Sequence, residues 1–402
     1  MHAKYLFLFL CVEIVFISCV SLHQLDNDPW TVRITPTLAR ALEGCDAFGL
    51  FMEGMAYVSH DDLWGYIDRE GHEVVPARYD VVSPFFEGMA RVCKEFRWGC
   101  IDRTGRVVIP LCYDYIADFS EGLAAYCAET VSEQGDTVMA WGYLNPQGQS
   151  VIAPHYRRAG NFSNGLAFII SEDERGGFVT PDGHELFLAD DSLDYVGSFS
   201  EGLALIRKGK KYGFADKEGR VVIPPLYDDA ESFSCGRALV KRGPYKGYID
   251  IEGREVIPPQ YIEAQTFACN RAAVRKEGKW GYIDTDGQLV SDFEYDSAWD
   301  FSEDRAAVCT SGKWGYINTA GRIIVKPTYD AAWNYAEGMA VVRRDSLWGY
   351  IDQRGKERIR PAYSYAYNFN HGVGWVEKTT PDGQTEGGLV DRRGKSTFTL
   401  NK

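Results

Sequence analysis

Lys279-Trp280-Gly281-Tyr282-Ile283-Asp284-Thr285-Asp286-Gly287 is followed 34 residues later by Lys313-Trp314-Gly315-Tyr316-Ile317-Asn318-Thr319-Ala320-Gly321. A further step of 34 reaches Leu347-Trp348-Gly349-Tyr350-Ile351-Asp352. Looking outward, Trp-Gly recurs at Trp64-Gly65, Trp98-Gly99 and Trp141-Gly142, and degenerate copies sit at Gly177, Gly213, Gly247 and Gly388. In all ten copies a second glycine follows six residues after the first, as in Gly65 and Gly71 or Gly281 and Gly287. Eight residues later comes a tyrosine in most copies (Tyr79, Tyr113, Tyr156, Tyr227, Tyr261, Tyr295, Tyr329, Tyr363). Six residues after most of these an aromatic opens Phe-Ser-Glu-Gly-Leu-Ala or a relative, as at Phe119, Phe301 and Tyr335. A fixed period of this length marks a repeat array, so the usual inference from 402 residues to two or three separate domains does not apply.

These motifs resemble the WG-repeat (KWG-repeat) family of bacterial proteins, over about residues 48 to 397. The resemblance implies an architecture and no specific chemistry.

The residues describe the unit. Each copy reads as three short antiparallel strands: Gly338 to Arg344, Trp348 to Asp352, and a third like Arg220 to Pro224. Apolar residues alternate along them. Asp68-Arg69-Glu70-Gly71 and its equivalents are hairpin turns, with Asp capping through its side chain and Gly taking the positive φ. Pro76, Pro110, Pro224 and Pro258 are expected to stop the third strand, since proline has no N–H to donate. Glycine inside a strand is costly, so the Gly of Trp-Gly implies a neighbouring backbone or Trp ring packed over it. The expected fold is all-β, a tandem array of about ten ~34-residue units, β-propeller-like, with an open twisted β-solenoid as the alternative. A blade shared between the two ends, a common closing device of propellers, is not visible in the sequence. Residues 20–47 read as linker and cap, and 48–402 as the repeat domain; Glu129 to Thr137 is an inserted polar loop.

Tyr5 to Ile17 is apolar after Lys4, with Glu13 inside the run, and is the length of a secretory core. Phe16-Ile17-Ser18-Cys19 resembles a bacterial lipobox. Residues 1–19 are therefore expected to be a signal peptide, with Cys19 as the lipidation site and plain secretion as the alternative. The chain would then be periplasmic or at the cell surface, meeting a membrane only through that anchor. A net charge of −14 and no long basic run argue against a nucleic-acid partner.

No histidine pattern has metal-ligand spacing, and no nucleophile elbow, phosphate loop or dinucleotide fingerprint occurs, so no cofactor or metal is expected. The recurring acids (Glu53, Glu87, Glu121, Glu201, Glu303, Glu337; Asp68, Asp102, Asp216, Asp250, Asp284, Asp352, Asp391) read as turn and edge residues. A catalytic pair needs two carboxylates in unlike environments, and a repeated residue has nearly the same environment each time. Beyond Cys11 and Cys19, eight cysteines remain; buried thiols are expected, with disulfides as the alternative in an exported chain. Cys100 replaces the Tyr of Trp-Gly-Tyr and is expected in the core.

One position changes character along the array. Two residues before the Phe or Tyr element, successive copies carry Ser83, Ala117, Gly160, Gly197, Glu231, Gln265, Trp299, Trp333 and Tyr367. Small and charged residues early suggest an exposed position, so Trp299, Trp333 and Tyr367 are candidates for a ligand-stacking row for sugars or peptide side chains. The alternative is that these rings cap the core. The functional expectation is a non-enzymatic binding scaffold for a protein or glycan. A structural envelope protein and a propeller-type hydrolase are the other readings.

Overall fold

A computed structural model describes residues 31–131, 137–187, 193, 195–380 and 383–397. Residues 1–19, Cys19, residues 20–30 and most of the inserted loop lie outside them. Among the described residues one helix, α1 (Pro36–Glu43), precedes the strands. The strands form ten antiparallel sheets in chain order, nine of four strands and the last of three.

The first sheet shows the unit: Ala47–Phe48, Met55–His60, Leu63–Asp68 and Glu73–Tyr79. The three strands expected from the sequence are the second, third and fourth. The first is often two residues long, too short for any periodicity to declare it. The prolines do not end the fourth strand as expected. Pro76 lies inside Glu73–Tyr79, where the register slips between Trp64 and Tyr66. The strand is at the sheet's edge, where an absent N–H costs nothing. This bulge also explains the glycine of Trp-Gly. A Cβ on Gly65 would lie 2.3 Å from the Val75 carbonyl oxygen, and Gly99, Gly213 and Gly315 meet the same obstacle. Gly71 takes φ +91° at the hairpin, as its place in the turn requires.

Both faces of each sheet are apolar. Ala56 and Val58 point into one interface, and Met55, one residue off, into the other. Ten sheets in an open stack have nine interfaces, but there are ten clusters. Nine join consecutive sheets. The tenth joins Val373 and Leu389 of the last sheet to Phe51, Ala56, Val58 and Ile67 of the first. The sheets are thus the blades of a closed ten-bladed β-propeller, with the first strand of each blade at the inner edge, where neighbouring blades approach most closely.

A closing device is present after all. Among the described residues the tenth blade has no fourth strand beyond a single bridge between Val390 and Ser396, and the segment around α1 packs at that place. The turn glycines of blades 2 and 3, Gly105 and Gly148, rest on Val75 and Ile109 of the preceding fourth strand, whereas Gly71 rests on Leu38. Leu38 and Leu42 enter the closing cluster. Thr35 caps the helix by accepting from the Leu38 N–H at 3.0 Å. The Val32 N–H donates to the His371 carbonyl at 2.8 Å, and Lys395 Nζ to the Ile34 carbonyl, so the segment is tied to the last blade.

Two polar bonds repeat between blades. The tyrosine of Trp-Gly-Tyr is buried and donates its hydroxyl to a carbonyl on the next blade's inner strand: Tyr66 to Ser83, Tyr143 to Gly160, Tyr248 to Gln265, Tyr282 to Trp299, Tyr316 to Trp333 and Tyr350 to Tyr367, at 2.6–2.8 Å. The glutamate of Phe-Ser-Glu-Gly accepts backbone N–H groups from the next blade's equivalent turn. Glu87 takes both Glu121 and Gly122, and Glu337 takes His371 and Gly372. Those turns have positive φ at both central residues, for example Glu87 at 51° and Gly88 at 79°, which turns adjacent N–H groups to one side as an anion cradle. In blades 6 and 7 the glutamate is replaced by Cys235 and Cys269. There Arg237 and Arg271 span instead, donating to the Thr285 and Thr319 carbonyls at 2.9 Å.

Leu38→Ala should lower stability by about 2–5 kcal/mol, as for a fully buried leucine, read by denaturant unfolding. Tyr316→Phe should cost about 1 kcal/mol and leave a carbonyl unpaired; a loss below a few tenths would mean the inter-blade bond carries nothing.

Candidate binding site on the inner rim

The residues that vary along the array lie on the inner strand. Each of them faces the following blade and pairs across the sheet with the third residue of its own second strand, as the Gln265 N–H to Ala273 carbonyl and Trp299 N–H to Ala307 carbonyl bonds show. In six blades the partners vary inversely in size: Gly49 with Tyr57, Ser83 with Arg91, Gly160 with Phe168, but Gln265 with Ala273, Trp299 with Ala307 and Trp333 with Val341; Ala117 with Ala125 are both small and Tyr367 with Trp375 both large. In those six blades the space next to the following blade near the axis is filled from one strand or from its neighbour. Gly49, Ser83 and Gly160 are small where their partners are large, so small size at this position is not a mark of exposure.

Half of the ring carries the chemistry. Blades 1–5 present Gly49, Ser83, Ala117, Gly160 and Gly197 at this position, and blades 6–10 present Glu231, Gln265, Trp299, Trp333 and Tyr367. Of the three expected stacking rings, Trp333 and Tyr367 are brought together, edge to face with centroids 6.3 Å apart, and both are half-buried. Trp333 also meets Trp348 and Tyr365. Trp299 stands apart from them, stacked on Trp314 at 6.2 Å with 28° between planes, and remains 48% exposed. Where two adjacent rim residues are glycine, Gly160 and Gly197, a cavity of about 170 Å³ opens between blades 4 and 5, walled by Phe168, Phe178 and Tyr195.

The residue after the rim position faces the preceding blade. In blade 3 it is Asp118, which makes a two-pronged ion pair with Arg91 of blade 2, Nε to Oδ1 at 2.5 Å and Nη2 to Oδ2 at 3.1 Å. In blades 8, 9 and 10 it is Asp300, Asn334 and Asn368, and each has a buried side-chain oxygen without a hydrogen-bond partner. The Gln265 Oε1 atom is in the same state. Burial, with the charge of Glu231 adding to it, pushes the Asp300 carboxyl up to about 6. Burial also raises Glu231, against the pull of Lys246. Nothing local in the sequence singles out Asp300, because an Asp one residue before Phe looks like another turn acid.

The recurring acids do have structural partners. Asp68 Oδ1 accepts from the Glu70 and His72 N–H groups, Asp250 and Asp352 do the same in their turns, and the glutamates clasp neighbouring blades as described. Among the described residues the cysteines are thiols, with Cys93, Cys100, Cys127 and Cys309 buried.

A family model described as "WG containing repeat" matches nine segments, 64–95, 98–128, 141–172, 193–212, 212–243, 247–280, 280–314, 314–348 and 348–379. The chain belongs to the WG-repeat family. None of the curated proteins matches it. Among solved structures, it is similar to the extracellular domain of a protein assigned as a hybrid two-component system of B. thetaiotaomicron, at 11% identity and TM-score 0.26, covering 86% of this chain and 62% of that one. This WG-repeat chain therefore spans less than two thirds of that domain's length. Apo AztD from Citrobacter koseri is similar at 12% identity and TM-score 0.29, covering 70% of this chain and 92% of the other. The dihydro-heme d1 dehydrogenase NirN in complex with DHE is similar at 11% identity and TM-score 0.32, covering 71% and 73%. Likenesses of this size carry no argument about function.

Within the WG-repeat array, Asp300→Asn puts at blade 8 the residue type that blades 9 and 10 already hold. Because the folded carboxyl titrates near 6 instead of at its ordinary 3.8, the folded state keeps a proton the unfolded chain releases, and stability falls as pH rises from about 4 to 6. The variant should melt higher than the parent at pH 7 and lose that part of the pH dependence. An unchanged melting profile would show the carboxyl to be well solvated.

Proposed function

We propose that the protein is a non-enzymatic, exported binding scaffold whose inner rim on blades 6–10 recognises a protein or glycan partner. The carrying observation is the division of the rim into a half of small residues and a half bearing Glu231, Gln265, Trp299, Trp333 and Tyr367. Space filling accounts for the size of these residues, but it does not call for an acid, an amide and a half-exposed indole in the same half of the ring. Trp299 supplies an exposed aromatic face, and the buried oxygens beside it supply acceptors without donors. Aromatic anchors with convergent polar groups are the usual composition of a recognition site.

Support for a non-catalytic role is chemical. The repeated carboxylates are engaged in turns and clasps, and Asp300 and Glu231 have no nucleophile-and-base arrangement beside them. Export, with or without a lipid on Cys19, is supported by the apolar run from Tyr5 to Ile17 and the lipobox-like Phe16-Ile17-Ser18-Cys19.

The test is an array of glycans and envelope proteins probed with the mature chain and with Trp299→Ala. Because Trp299 is the half-exposed ring while Trp333 and Tyr367 support each other, the variant should keep its melting temperature within a few degrees and lose about tenfold or more in affinity, the scale of one stacked anchor. Equal binding by both proteins would move the site off this rim.

A further inference from the structure

The protein contains its own template for a ligand. At the interface of blades 2 and 3, the guanidinium of Arg91 lies in a complete cage. Asp118 grips it with both oxygens. The Ile116 carbonyl accepts from Nη1 at 3.0 Å and the Tyr115 hydroxyl from the same nitrogen at 3.2 Å. The Trp98 and Tyr115 rings lie 5.4 and 5.6 Å from the guanidinium carbon.

The same positions at the interface of blades 7 and 8 keep most of the cage and lose the arginine, and Gln265, which stands where Ser83 stands, occupies part of the space and has to swing aside for a guanidinium to enter. Asp300 stands where Asp118 stands, Trp280 where Trp98 stands, Ala298 supplies the carbonyl of Ile116, and Ser297 replaces Tyr115. The registers make this correspondence firm: Tyr115 pairs with Cys127 as Ser297 pairs with Cys309, and Arg91 pairs with Cys100 as Ala273 pairs with Tyr282. Ala273 therefore occupies the position of Arg91. Trp280 packs on the cluster that holds Ala273 and Ala298. Asp300, Ser297, Trp280 and Gln265 are each partly exposed.

We infer that the inner rim between blades 7 and 8 receives the arginine side chain of a protein partner, its guanidinium entering between Asp300 and Trp280 in the manner of Arg91. This rests on the scaffold reading above and names its partner. Two acceptor oxygens there, Asp300 Oδ1 and Gln265 Oε1, have no donor, and unpaired buried acceptors call for donors. A guanidinium brings five N–H donors in a plane and stacks on an indole, which an ammonium does not match. The unsatisfied carboxyl is also the one that burial and Glu231 hold above its ordinary range, as expected of a carboxylate without its cation. A net charge of −14 favours the approach of a basic partner. In blades 9 and 10 the acid is Asn334 and Asn368, so the site is single and not repeated around the ring.

The experiment is calorimetric titration of the full chain with three probes: N-acetyl-arginine amide, N-acetyl-lysine amide and the neutral N-acetyl-citrulline amide. The arginine probe should bind, the lysine probe more weakly, and the citrulline probe about ten- to a hundredfold more weakly, as for loss of a charge-assisted pair. Asp300→Asn should abolish the preference for arginine over citrulline. Ala273→Arg should fill the slot from within, raising the melting temperature and excluding the probe; Ala307→Arg, at the next interface with Asn334, should do neither. Failure of the arginine probe to bind, equal binding of citrulline, or an undisturbed preference in Asp300→Asn would overturn the assignment. A partner found on the array and lost with Trp299→Ala would then leave the scaffold standing with another ligand.

Discussion

A blade of this protein has two apolar faces and can cover neither alone. Every sheet must therefore lie between two others, and a finite stack leaves two faces bare unless it closes. The structure meets this constraint by bending ten sheets into a ring. Most of its regularities follow from the need to hold one sheet against the next at a constant angle. The buried tyrosine hydroxyl fixes one sheet to the carbonyl of the next inner strand. The glutamate clasp fixes the turns. A glycine at Trp-Gly lets the bulged edge strand lie close. None of these bonds is large by itself, and their value is that they recur. Net gains of about 1 kcal/mol per hydrogen bond add up when the same geometry is repeated around a ring.

The tenth interface differs from the other nine. It is made by the two ends of the array, and among the described residues its last sheet has three strands. Residues 31–43 fill the gap with Leu38 and Leu42 in the core, so the ring is locked by a segment outside the repeat. Closure by a helix where the other blades use a strand is tolerated because the interface asks for buried apolar volume and not for a ladder. The nearby pair of Phe48 and Trp375, 4.5 Å apart, belongs to the same seam.

Much of this was legible in the sequence, and the misses have physical causes. The turns, the copy number, the all-β class and the core place of Cys100 follow from spacing, because turn glycines and alternating apolar residues act locally. The inner strand was missed because two residues such as Val81–Val82 have no detectable period. Pro76 looks like a stop in the sequence because the rule for proline is local, while its tolerance depends on lying at a sheet edge. The part of residues 31–43 in closure is not legible locally, because α1 owes its burial to blades far along the chain. Trp299, Trp333 and Tyr367 stand out in the sequence as aromatic, but their exposure is not legible from small equivalents, because compensation by Tyr57, Arg91 and Phe168 is a cross-strand relation. Asp300 could have been found by comparing copies pairwise: it is the acid that recurs from Asp118 while Arg91 gives way to Ala273.

The central claim is that ten blades close on themselves, and small-angle X-ray scattering of residues 31–402 tests it most directly. Sheets packed about 10 Å apart, with strands about 4.8 Å apart, make a ring roughly 60 Å across. An open stack of the same sheets would extend to roughly 100 Å. A maximum dimension near the smaller value, lengthened in a variant with Leu38 and Leu42 both replaced by Asp, is the result the ring predicts. A particle of the larger dimension in the unaltered protein would contradict it.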